Sequence, residues 1–136
     1  PLIPEGKAHL ILGLEPLETL RMVQKYANQD TVCISNVYPV IPAGVSANRE
    51  AYPDIAELKS AVSALCKKTW FLDATTIALE LNAPIAMNIV MVGALLGSGQ
   101  LPLTEEDIKV ELRENLPADR LELNYEAMAR GMKAVS

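Results

Sequence analysis

Three short apolar runs, separated by stretches with helical spacing, constrain this chain more than any other feature. They are "AHLIL" (Ala8 to Leu12), "TVCIS" (Thr31 to Ser35) and "TWFLD" (Thr69 to Asp73). Their length predicts strands, and their near-continuous apolarity is what a sheet covered on both faces requires. Between the first two, Leu17, Leu20 and Val23 mark one face of a helix over Pro16 to Asn28, while Arg21, Gln24 and Lys25 mark the other. Before the third, Ile55, Leu58, Val62 and Leu65 recur at helical spacing over Asp54 to Lys68, with Asp54 and Glu57 placed as an N-cap and its partner. A β-α-β-α-β order forces crossovers between parallel strands. The expected fold class is therefore α/β, a mostly parallel sheet with helices on both faces.

The carboxyl-terminal part reads as mainly helical: Asp73 to Leu81, Ala86 to Leu96, Thr104 to Asn115 behind the capping signal "TEED", and Asn124 to about Val135 with Met128, Met132 and Val135 on one stripe. With 136 residues, half of them apolar, the chain has material for one ordinary core, so a single domain over 1–136 is expected. Few aromatics and much Leu, Ile, Val and Ala suit aliphatic helix–sheet packing. A net charge of −5 without a basic cluster argues against nucleic acid as a partner. The most apolar stretch, "APIAMNIVMVGALLGSG" from Ala83 to Gly99, falls short of a bilayer span and contains Asn88. It is expected to be a buried helix, with no membrane partner. Cys33 and Cys66 are far apart in sequence and without metal-ligand spacing, so two reduced thiols and a cytoplasmic location are expected.

Parallel strands place their carboxyl ends at one edge, and ligands of open α/β sheets bind in the crevice outside it. The residues just past those ends are Gly13 to Glu15, then Asn36 with the Pro-rich stretch "NVYPVIPAGVSANREAYP", then Asp73 with Thr75 and Thr76. Glu15, Arg21, Asn36, Pro39, Pro42, Asp73 and Asn88 are the candidate rim or interface residues. Several have plainer readings. Pro16 suits the first helical position, which leaves Glu15 extended beside the positive helix end, and Glu18 would pair with Arg21 or Lys25. Asp73 would cap the following helix, and Asn88 is expected to be buried and to hold the irregular stretch or a strand end. His9, the only histidine, reads as a core or edge residue, and the thiols as core filler. No catalytic residue, metal site or Gly-rich phosphate loop is found, so the chain is not expected to be an enzyme by itself.

Six segments in order, "GLEPLETLR", "SNVYPVIPAGV", "AYPD", "LDATTIALEL", "MNIVMVGAL" and "LNYEAMARG", resemble the gamma subunit or domain of 2-oxoacid:ferredoxin oxidoreductases. The likeness extends over nearly the whole chain and is greatest to the small subunit of the indolepyruvate type. That family's domain begins with a Gly-rich strand-turn-helix that this sequence does not contain, so the amino-terminal part of the domain is expected to be missing. The resemblance implies an oxidative decarboxylation of a 2-oxoacid, with electrons passed to ferredoxin and the acyl group captured on coenzyme A. Thiamine diphosphate, Mg²⁺ and iron–sulfur clusters would lie on partner subunits, and this chain would pack on the thiamine-binding catalytic subunit. Gamma subunits acting with pyruvate, 2-oxoglutarate or branched-chain 2-oxoacids remain alternatives. So do a stand-alone small-molecule-binding α/β protein and a purely structural assembly module.

Overall fold

The computed structural model describes residues 2–40 and 52–136. Three strands form one open sheet in the order β1 (Leu10–Gly13), β2 (Val32–Asn36) and β3 (Lys68–Leu72). β1 and β2 are parallel, with Leu10 opposite Val32 and Gly13 opposite Ser35. Among the described residues there are six α-helices: α1 (Pro16–Tyr26), α2 (Ile55–Leu65), α3 (Ala74–Glu80), α4 (Met87–Gly97), α5 (Glu105–Asn115) and α6 (Ala118–Val135). This is the α/β class that the alternating pattern predicts, with a mainly helical carboxyl-terminal part. The chain divides into two compact units, Pro1–Phe71 and Leu72–Ser136.

In the first unit, Val23 of α1 and Val62 of α2 meet Cys33 of β2, with Ile11, Leu20 and Phe71 packed around them. Val23, Leu20 and Val62 are among the positions whose helical spacing marks an apolar face, and Ile11, Cys33 and Phe71 lie in the three apolar runs. Cys33 and Ile34 are adjacent on β2 and both fully buried, so the central strand is covered on both sides, as its unbroken apolarity requires. Thr31 is the polar exception. Its hydroxyl donates to the Ala8 carbonyl at 2.6 Å and accepts the Asn28 N–H at 2.8 Å, which ties the entry of β2 to the chain ahead of β1. The helix expected to run to Lys68 stops at Leu65, because Lys67 donates its N–H to the Thr31 carbonyl at 2.8 Å and draws the chain into the sheet.

The second unit is built around the crossing of α4 and α6. A Cβ on Gly93 would lie 2.8 Å from the Met128 carbonyl carbon, and one on Gly131 would lie 2.8 Å from that of Val90. The helices are thus in backbone contact, a distance that only glycine at both positions permits. Val90, Met91, Ala94, Ala127 and Met128 close around that contact and are fully buried. α6 begins at Ala118, six residues before the expected Asn124, since Pro117 breaks the chain and its carbonyl accepts the Arg120 N–H at 2.9 Å. α5 opens with the expected cap: Thr104 and Asp107 exchange side-chain to backbone bonds in a capping box. Among the described residues no helix is long and apolar enough to cross a membrane.

Candidate functional site

At the carboxyl end of β1, Gly13 turns the chain toward α1. A Cβ there would come within 2.7 Å of Thr19 Cβ, so glycine lets α1 start close against the strand. Glu15 is extended at φ −146°, ψ 137°, the conformation that a following proline imposes, and Pro16 occupies the first turn of α1. One Glu15 carboxylate oxygen accepts the Glu18 N–H at 2.9 Å; the other accepts the Tyr52 hydroxyl. Glu15 is therefore a helix cap and also an anchor for Tyr52, a residue that sequence reasoning missed. A phenol so distant in sequence gives no local signal of that contact. Burial, followed by the adjacent Glu15 carboxylate, pushes the Tyr52 phenol well above its ordinary pKa.

A second strand of polar contacts runs beneath this cap. Thr19 donates its hydroxyl to the Glu15 carbonyl at 2.7 Å. Ser35 reaches Thr19 Oγ1 at 3.1 Å and the Asn36 carbonyl at 3.0 Å, its single hydrogen serving one acceptor at a time. Asn36, 1% exposed, donates from Nδ2 to the Leu14 carbonyl at 3.1 Å and accepts the Tyr38 N–H on Oδ1 at 3.4 Å. Asn36 thus stitches the ends of β1 and β2 together. Of these three only Asn36 is a candidate from sequence, expected just past the second strand, and in the structure it is the last residue of β2; Thr19 and Ser35 look like ordinary small polar residues.

The crevice beside this network, lined by Pro16, Ser35, Asn36, Ile55, Lys59 and Phe71 among others, holds about 10 Å³, room for roughly one water. Outside it the surface turns apolar. Leu14 is 44% exposed, Tyr38 39% and Val40 63%, with Pro39 half-buried between them. Arg21 lies exposed one turn along α1 and pairs with Glu18, as expected, while Lys25 lies 3.9 Å from Glu5. Pro42 lies outside the described residues. His9 is exposed just ahead of β1, and its carbonyl accepts the Val32 N–H at 3.0 Å.

In the second unit, Asp73 caps α3, accepting the Thr76 N–H at 2.8 Å and the Thr76 hydroxyl at 2.7 Å. Asn88 corrects an expectation. It is exposed in the first turn of α4, so it does not hold a buried loop. The helix is apolar but not sunk on all sides; its deepest stripe is the one bearing Val90, Met91, Gly93 and Ala94. A wide groove of about 610 Å³ runs between α5 and α6, where Glu105 pairs with Lys109 at 2.6 Å and Asp119, Glu122 and Glu126 make the walls acidic. Among the described residues no cluster of three or more His, Cys, Asp or Glu side chains could hold a metal ion. Cys66 packs against the cluster of Val23, Cys33 and Val62 in the first unit.

Residues 1–134 match the pyruvate ferredoxin/flavodoxin oxidoreductase family. The chain belongs to this family. Relatives are named indolepyruvate oxidoreductase subunit IorB: that of Thermococcus kodakarensis is 34% identical over 98% of this chain and 66% of its own length. The Archaeoglobus fulgidus protein is 33% identical over 96% of the chain and 65% of its own length, and the Methanothermobacter thermautotrophicus protein 30% identical over 99% and 68%. The chain thus spans about two thirds of the length of these curated relatives.

Proposed function

We propose that the chain is the IorB-type subunit of an indolepyruvate:ferredoxin oxidoreductase. It serves a complex that oxidatively decarboxylates a 2-oxoacid, forms acyl-coenzyme A and reduces ferredoxin. The reading rests on relatives of that name covering nearly all of the chain. In the complex, thiamine diphosphate, Mg²⁺ and the clusters belong to the catalytic partner, which also selects the 2-oxoacid, and the assembly works in the cytoplasm. This chain contributes a docking face. The observation that carries the docking face is the contrast at the strand ends: a polar network around a water-sized crevice, bordered by exposed Leu14, Tyr38 and Val40. Such a surface encloses no small molecule, but it offers apolar area for a protein to cover.

The test is to co-express variants with the thiamine-binding subunit and measure affinity and melting temperature together. Leu14→Asp and Val40→Asp are expected to weaken association at least tenfold with unchanged melting. Glu15→Gln, whose carboxylate serves Glu18 and Tyr52 within the unit, is expected to lower the melting point and leave affinity nearly unchanged. Normal assembly by both aspartate variants would refute the docking face. The pure chain, given ferredoxin or a dye acceptor, thiamine diphosphate and coenzyme A, should show no turnover.

A further inference from the structure

Gly13 and Ser35 are the last residues of β1 and β2 paired in register, so Leu14 and Asn36 come next, one on each chain. There the chain from β1 turns toward α1, and the chain from β2 leaves the sheet toward Pro39. Each carries an exposed apolar side chain past the sheet, Leu14 at 44% and Tyr38 at 39%. Residues beyond the last ladder bond are free to sample many backbone conformations unless something holds them. Here one side chain holds both. Asn36 donates from Nδ2 to the Leu14 carbonyl at 3.1 Å and accepts the Tyr38 N–H on Oδ1 at 3.4 Å. Its amide is planar and, at 1% exposure, walled in, so the two bonds fix the backbones of Leu14 and Tyr38 relative to each other as well as to the sheet. Pro39, whose ring restricts φ, stiffens the link from Tyr38 to Val40.

Leu14, Tyr38 and Val40 are the apolar residues of the proposed docking face. Association that must first order loose residues is weakened by the entropy they lose, and a face already fixed in the free chain avoids that loss. Asn36 has almost no surface of its own to offer a partner. Its effect on docking therefore passes through the two residues it holds.

We propose that Asn36 is a positioning residue for assembly: its buried amide sets Leu14 and Tyr38 in the arrangement that the thiamine-binding subunit recognises. The inference rests on the docking face proposed above. A contact residue and a positioning residue leave different kinetic marks. Loss of a contact is read mainly in faster dissociation. Loss of positioning lowers the fraction of free chains whose face is competent, and apparent affinity falls by that fraction through slower association.

The protein carrying this chain is immobilised and the thiamine-binding subunit passed over it, at a temperature where circular dichroism shows every variant folded. Leu14→Ala is expected to dissociate about tenfold faster and to associate at the parent rate. Asn36→Leu is expected to associate about tenfold more slowly and to dissociate at nearly the parent rate. On the Leu14→Ala background Asn36→Leu should slow association less, because one of the two side chains it positions is gone. Tyr52→Phe is the control for general loosening of the same turn: it removes the hydroxyl from Glu15, keeps both Asn36 bonds and should associate at the parent rate. With no variant at all, the Tyr38 N–H of the free parent should be protected from hydrogen exchange. A parent association rate in Asn36→Leu, an equal slowing by Tyr52→Phe, or an unprotected Tyr38 N–H would overturn the positioning role and leave the docking face standing. Parent dissociation by Leu14→Ala would refute the docking face, and the positioning role with it.

Discussion

The two units hold themselves together in different ways. In the first, aliphatic side chains from α1, α2 and the sheet form the core, and a chain of polar side chains secures the strand ends. In the second, α4 and α6 touch backbone to backbone at Gly93 and Gly131, and side chains close around that contact. The first arrangement depends on which groups can be paired, the second on how little volume stands between two helices. The sheet unit should therefore be sensitive to polarity and the helical unit to size.

The largest expected effect tests the second half of that contrast. Gly131→Ala places a Cβ against the Val90 carbonyl carbon and the Ala94 nitrogen, backbone atoms that cannot rotate away. A loss of about 3 kcal/mol in denaturant unfolding is expected, with amide exchange rising first in α4 and α6. A variant as stable as the parent would show that the crossing has slack. Asn36→Leu tests the first half. It keeps the volume roughly constant but strands the Leu14 carbonyl and the Tyr38 N–H, for an expected cost of about 1–3 kcal/mol, visible in exchange at the ends of β1 and β2.

A further effect, absent at neutral pH, comes from Cys33. In the unfolded chain this thiol ionises near 9.0, in the folded unit only near about 12. Between those values the unfolded state binds fewer protons, so the stability of the reduced protein falls as pH rises from about 9 toward about 12 and is unaffected below. Urea midpoints measured across that range should decline less steeply in Cys33→Ala. The smallest effect is at Asn88. Exposed on α4, it should tolerate Asn88→Leu within about 0.5 kcal/mol; a loss above 1 kcal/mol would mean the side chain is engaged.

Local chemistry was legible in the sequence wherever a few neighbouring residues decide it. The apolar runs set the strands, Pro16 and Glu15 the start of α1, Asp54, Asp73 and Thr104 the caps of α2, α3 and α5, and each formed where the pattern placed it. Asn36 was legible as a polar residue near a strand end, but that its amide joins the ends of β1 and β2 was not. What tertiary structure decided are the meetings of residues far apart in the chain. Tyr52 reaches Glu15, Ser35 reaches Thr19, Cys66 packs against the cluster around Cys33, and Gly131 lies over Val90. Spacing carries no sign of these, because helical and strand periodicity say which face of an element is apolar and not which partner that face will meet. Asn88 shows the same limit from the other side. A polar residue inside an apolar run reads as buried until the helix is turned in place, and here α4 is turned so that its glycine stripe, not its asparagine, faces the core.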